Sequence, residues 1–124
     1  MSTDPGPPES WPPELDALIA APEHHRLRFE NDRVRVLDTV IPAGETTRLH
    51  THRWPAVYLV ASSSPLVRRD ADGNVLLDTR DAPDTPRPDG PVWSDPIGPH
   101  TLENVGTREI RLVSVEIKSS GGTP

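Results

Sequence analysis

The chain has 124 residues, 33% of them apolar, with 16 prolines and no cysteine. That suffices for one small domain and not for two; it excludes disulfides and leaves any metal site to histidine and carboxylate ligands. A formal charge of −6 argues against binding a nucleic-acid backbone, and the lack of any run of roughly 18 apolar residues argues against a membrane span.

Residues 1–22 read as a flexible Pro-rich leader and a short helix. The first twelve or so are too small, polar and proline-rich to pack, whereas Leu15, Leu18 and Ile19 recur at helical spacing up to Ala21, where Pro22 ends the run. The acidic start has no hydrophobic segment of the secretory kind, so a cytoplasmic location is expected. Residues 23–124 read as a single β domain.

His25 to Phe29 alternates polar and apolar, Asn31-Asp32 signals a turn, and Arg33 to Thr39 alternates again, which makes a hairpin. Pro42-Ala43-Gly44 is a turn, and the next strand is expected over Arg48 to His52. Trp54-Pro55 interrupts it, since proline cannot donate to a ladder. Ala56 to Ala61 is an apolar run suited to a buried strand. Leu66 to Arg69 and Val75 to Asp78 flank D-A-D-G-N, a turn in which Gly73 can supply positive φ.

Asp81 to Pro91 is a Pro/Asp/Gly loop, Val92-Trp93 a short strand, and 96–99 a tight turn into His100. Ile110 to Ile117 is the strongest alternating strand. Many short strands with one short helix indicate an all-β sandwich or barrel. The basic residues fall largely in pairs (Arg26/Arg28, Arg33/Arg35, Arg68/Arg69, Arg108/Arg111) interleaved with strand residues, which is the pattern of solvated strand faces.

Two histidines, His50 and His52, close the stretch G-E-T-T-R-L-H-T-H that begins at Gly44. On an extended backbone they share a face, because side chains alternate along a strand, and two converging imidazoles are half of a metal site. Gly44, five residues, then His50-x-His52 matches the opening of the first cupin motif. Pro96-x-Gly98, one residue, His100, three residues, then Asn104 matches the second, with its gap one residue short. The sequence thus resembles the cupin superfamily over about residues 26–118. The resemblance implies an all-β, cupin-type jelly-roll β-barrel with a short N-terminal helix, and His50, His52 and His100 as metal ligands.

Two positions depart from the motif. The usual glutamate ligand falls on Ala56 or Val57, and the later glycine falls on Ser63. A set of neutral imidazoles leaves open coordination positions and the ion's full positive charge, which favours anionic, chelating small molecules. By resemblance, the three-histidine cupins include iron-dependent thiol dioxygenases and diketone-cleaving dioxygenases. The expected cofactor is therefore a divalent metal ion, Fe(II) first, with Mn, Ni, Co or Zn as the other options.

The alternatives are a non-catalytic ligand-binding or sensor cupin, or a cupin isomerase or epimerase. Edge-strand logic and the family resemblance add a homodimer. Tyr58 should face inward with Ala56, as a donor toward the metal's ligand or as an ordinary core aromatic. Arg48 should share the inward face of His50, to pair with an anionic substrate or form a rim ion pair. Trp54 and Trp93 are expected in the core or at an interface rather than walling the cavity. His24 and His25 read as surface histidines, Asn104 as a turn-fixing residue, and Glu45 and Glu103 as solvent-exposed carboxylates.

Overall fold

In the computed structural model residues 5–81 and 90–118 are described. Two antiparallel sheets face each other. Nine strands build them: β1 (His25–Glu30), β2 (Val34–Ile41), β3 (His50–His52), β4 (Ala56–Ser62), β5 (Leu66–Asp70), β6 (Val75–Asp78), β7 (Val92–Ser94), β8 (Ile97–Asn104) and β9 (Ile110–Ile117). One sheet runs β1-β2-β9-β4-β7 and the other β3-β8-β5-β6. Most of the proline-rich loop expected over 81–91 lies outside the described residues.

Period-two patterning decides the faces. In β2 the buried positions are Arg35, Leu37, Thr39 and Ile41, in strict alternation with half-buried neighbours. Its pairing with β9 sets Leu37 beside Ser114 and Ile41 beside Ile110. Asn31 Oδ1 accepts the amides of both Arg33 and Val34 at 2.8 Å, closing the first hairpin as an Asx turn. In the β5–β6 turn Gly73 sits at φ 88°, a region glycine enters without penalty. The apolar core is small: Leu37, Ile41, Ala56, Val67 and Ile110, joined by Trp11, Ala17 and Ala21 from the N-terminal segment. Much of the remaining interior is polar.

The sequence-based expectations need correction at four places. The helix is one turn, α1 (Ala17–Ala20), preceded by 3-10 turns at Pro8–Ser10 and Pro13–Leu15. Asp16 caps it by accepting the Leu18 amide at 3.2 Å. The prolines permit only short turns here, and α1 packs on β1 and β3. Trp11, inside the stretch expected to be a flexible leader, is buried and donates to the Pro5 carbonyl at 3.0 Å.

β3 starts at His50 rather than Arg48. The preceding segment is tied instead by Thr47, whose amide donates to the Leu102 carbonyl at 2.9 Å while its Oγ1 accepts the Leu102 amide at 3.0 Å.

β8 begins at Ile97, where a turn was expected. Opposite His50 and His52 stand His100 and Ile97, so β8 carries one extra residue between these pairs, a bulge that accommodates Pro99 without demanding an amide from it.

Arg35 and Arg68 are not on solvated faces. Arg35 is buried, and Arg68 points into the space between the sheets.

A candidate metal centre between the sheets

Between the sheets lies a cavity of about 970 Å³. At one end four histidines gather from three strands. His50 stands directly across from His100 in the β3–β8 pair, His52 follows on β3, and His25 opens β1. The His25 ring lies 4.6 Å from that of His50 and 5.4 Å from that of His52, with His50 and His52 4.9 Å apart. His100 lies 4.3 Å from His50 and 5.4 Å from His52 on the other side. One ligand nitrogen from each of His25, His50 and His52 lies within 4.8 Å of the others.

The second ring nitrogens decide what this cluster can do. Nδ1 of His25 faces the Ala21 carbonyl at 2.9 Å, that of His50 the Arg48 carbonyl at 2.7 Å, and that of His100 the Gly98 carbonyl at 2.7 Å. Nδ1 of His52 faces Glu116 Oε2 at 3.3 Å. Carbonyl and carboxylate oxygens only accept, so each Nδ1 must carry the hydrogen, and in the neutral ring Nε2 is left as the lone-pair nitrogen. Fixing the outer nitrogen to an acceptor is how ligating histidines are oriented toward a metal.

Burial keeps the His25, His50 and His100 rings neutral. Burial lowers the His25 pKa to about 4, helped by His52 and opposed by the Ala21 carbonyl and Glu116. Burial likewise pushes His50 down, with His100 and His52 adding to it. His100 falls well below the ordinary imidazole range by burial and then by His52. A buried imidazole held without its proton offers its lone pair, which is the ligating form. The donor set therefore fits a divalent ion.

Behind His52 runs a buried charge chain. Glu116, 1% exposed, accepts from Arg35 Nε at 2.7 Å, and Arg35 reaches Asp16 with both terminal nitrogens at 3.0 and 2.9 Å. Burial alone would lower the Arg35 pKa, yet its hydrogen bonds to Asp16 and the charge of Glu116 carry it above its ordinary value. Arg35 also lies 4.9 Å from the Trp54 ring centroid. Glu116 stands opposite Ala56 in the β4–β9 pair. A carboxylate thus stands against His52 from the neighbouring strand, as the partner of its outer nitrogen and not among the clustered ligand atoms.

The residues singled out from sequence divide. His50, His52 and His100 come together, and Tyr58 lines the cavity. Arg48 does not join them: its side chain is 73% exposed and pairs with Glu23 at 3.1 Å. It precedes β3, so strand alternation does not apply to it, and only its carbonyl serves the centre. Trp54 edges the cavity, and Trp93, opposite Val57 on the outward face of its sheet, is 55% exposed, so neither is a core residue.

His24 and His25 are buried, not surface residues. His24 leaves the centre and meets Glu45 at 2.8 Å. Glu103 pairs with Arg69, so neither of the two carboxylates weighed from sequence reaches the cluster. Asn104 fixes its turn as expected, donating to the Ile41 and Arg108 carbonyls and accepting the Gly106 amide.

Sequence reasoning missed His25, Arg35 and Glu116. The available signal was period two: His25 shares a face with Leu27, Arg35 with Leu37, and Glu116 with Ile110 and Leu112.

No protein-family model and no curated protein sequence matches the chain. Solved structures do. A cupin domain from Bordetella pertussis superposes with TM-score 0.60 at 22% identity over 77% of this chain and 92% of its own. An RmlC-like cupin with a double-stranded β-helix fold from Methanocaldococcus jannaschii gives 0.51 at 10% identity over 75% and 79%. A polyketide cyclase from Streptomyces resistomycificus gives 0.51 at 16% identity over 83% and 70%. The fold is that of the cupins, the double-stranded β-helix that both sequence motifs pointed to.

Proposed function

We propose that the protein is a metal-dependent enzyme of the cupin type, in which His25, His50 and His52 hold a divalent ion with His100 beside them. The observation that carries this reading is the common tautomer: four imidazoles, each with Nδ1 spent on an acceptor, lean together at one end of a cavity. Fe(II) is the first choice, with Mn, Ni, Co or Zn as alternatives, because an imidazole set suits all of them. A bound ion would supply Lewis-acid activation of a substrate oxygen or sulfur, and iron would add redox chemistry with dioxygen.

The protein's own contribution is positional. Glu116 and the three carbonyls hold the rings in place. Leu66, Leu102 and Leu112 keep the neighbouring wall apolar, and Tyr58 presents a hydroxyl from β4. The substrate class that fits is small and anionic or chelating, since the ligands leave the ion's charge uncancelled. The proposed reaction is that of a dioxygenase acting on such a substrate, in a cytoplasmic protein. Among the described residues no helix is long and apolar enough to cross a membrane.

A second reading, a non-catalytic ligand-binding cupin, draws on the size of the cavity. An isomerase needs a free acid–base pair, and Glu116 is already committed to Arg35 and His52. Elemental analysis of protein purified without chelators, beside a His50→Ala/His52→Ala variant, tests the metal. Oxygen uptake against thiols, diketones and hydroxy acids then tests the chemistry. About one ion per chain, lost in the variant, with uptake on one substrate class, is the expected result. Stoichiometric metal without turnover would favour the binding reading, and sub-stoichiometric metal unchanged by the mutations would remove both metal readings.

A further inference from the structure

The cavity holds a positive charge that the histidine centre does not use. Arg68 lies in β5 on the face that also turns Leu66 and Asp70 inward. It stands opposite Leu102, one inward step along the sheet from the Asp70–His100 pair, and its charge acts on His100. Its Nε is shut off from solvent and has no hydrogen-bond partner. Burial pushes its pKa down, and the one charge opposing that fall comes from Tyr58 rather than from any carboxylate.

The contrast with Arg35 is direct. Arg35 is buried with two carboxylates around it, as a desolvated guanidinium requires. The acids along the cavity offer Arg68 nothing. Asp70 accepts from Asp72 and Asn74 in its own turn. Asp95 accepts the Trp93 indole N–H. Glu116 is held by Arg35 and His52. Among the described residues the inward-facing guanidinium is therefore left uncompensated beside the candidate metal centre.

We infer that Arg68, with the Tyr58 hydroxyl, holds the carboxylate of a small substrate whose other donor group meets the histidine centre. The inference rests on the proposed function for that second contact and stands on its own for the first. A planar guanidinium matches a carboxylate in a bidentate fork, and the match is strongest where water is excluded. Leu66 and Leu102 flank this position, which suits a short apolar body between the two polar ends. The substrate class narrows from anionic chelators in general to carboxylates carrying a second oxygen, nitrogen or sulfur donor.

The test uses acetate and glycolate as probes, each against its methyl ester, titrated calorimetrically into metal-loaded and chelator-treated full-length protein. Wild type, Arg68→Met and Tyr58→Phe are compared, with metal content measured on the same samples. Arg68→Met should keep its metal, weaken both carboxylates by about tenfold or more, and bring acid and ester to equal affinity. Its thermal midpoint should rise, because an unpaired buried charge has been removed. Tyr58→Phe should show a smaller loss; wild-type affinity there removes Tyr58 from the site.

Carboxylate binding that is unchanged in Arg68→Met overturns the inference. So does wild-type protein that binds neither acid at the highest concentration the titration allows. Arg68-dependent binding in protein that takes up no metal when loaded keeps the anion site and removes the metal reading instead.

Discussion

At the scale of single residues, what distinguishes a ligand from a bystander is where its second nitrogen goes. His24 and His25 are adjacent and both buried, yet His25 gives Nδ1 to Ala21 and turns into the cluster, while His24 bonds Glu45 on the outside. His25→Ala should therefore weaken metal binding about tenfold or more, the scale on which even partners of ligands act, and His24→Ala should leave it within experimental error. A metal titration on the two variants separates them; equal losses would contradict the assignment.

Glu116 makes a second residue-scale prediction. Glu116→Ala strips His52 of its orienting acceptor and strands Arg35 beside Asp16 alone. Removing one partner of a buried ion pair costs about 3–5 kcal/mol, and losing the outer partner of a ligand costs about 10- to 100-fold in metal affinity. Chemical denaturation and a metal titration on the same variant read both quantities. Wild-type values in either would show that the chain from Asp16 to His52 is not coupled to the site.

At the scale of elements, strands and turns were legible in the sequence while the polar interior was not. The hairpin at Asn31, the Gly73 turn and the break at Pro55 follow from local chemistry that acts whatever the rest of the chain does. Periodicity also showed that β2 and β9 have two faces. Period two puts Arg35 on the face of Leu37 and Glu116 on the face of Ile110, but their ionic partners come from distant segments, Asp16 and each other, which no local pattern can announce.

His25 was obscured for a similar reason, since it lies at the very start of an edge strand. Arg48 failed as an inward residue because the chain before His50 is not extended in the sheet. α1 illustrates the same coupling between segments. One helical turn has no stability of its own, and it is held because Asp16 caps it while binding Arg35. Asp16→Ala removes both and should cost about 3 kcal/mol or more, read as a shift in the denaturation midpoint; a shift no larger than a lost helix cap, about 1 kcal/mol, would show that the ion pair adds nothing.

At the scale of the whole molecule, the outward face of the larger sheet carries an apolar row in register across all five strands: Phe29, Val36, Val115, Val57 and Trp93. Phe29 and Trp93 are 54% and 55% exposed, and Leu59 beside them 50%. Exposed rows of this kind commonly mark protein interfaces, and a homodimer across this face is the proposal it supports. Light scattering after gel filtration should give twice the chain mass for wild type and the chain mass for Phe29→Arg/Trp93→Arg; a wild-type monomer would contradict it.

The buried histidines set a second molecule-wide property. In metal-free protein, unfolding returns each ring to a pKa near 6.5, while burial holds the folded His25 at about 4 and pushes His50 and His100 well below the ordinary imidazole range. Below about 6.5 the unfolded chain binds more protons than the native one, so stability falls as pH drops from about 6.5 toward 4. Each histidine contributes about 1.4 kcal/mol per pH unit where it is protonated only in the unfolded state. Urea midpoints at pH 7 and pH 5 should differ accordingly, and equal midpoints would contradict the buried, neutral assignment.

The central claim is that these converged imidazoles are a metal site and not a hydrogen-bonded core. Calorimetric titration of Co(II) into metal-free wild type and His25→Ala tests it most directly. One ion per wild-type chain is expected, with binding weakened about tenfold or more in the variant. Absence of saturable binding to wild type, or identical isotherms for the two proteins, would contradict it.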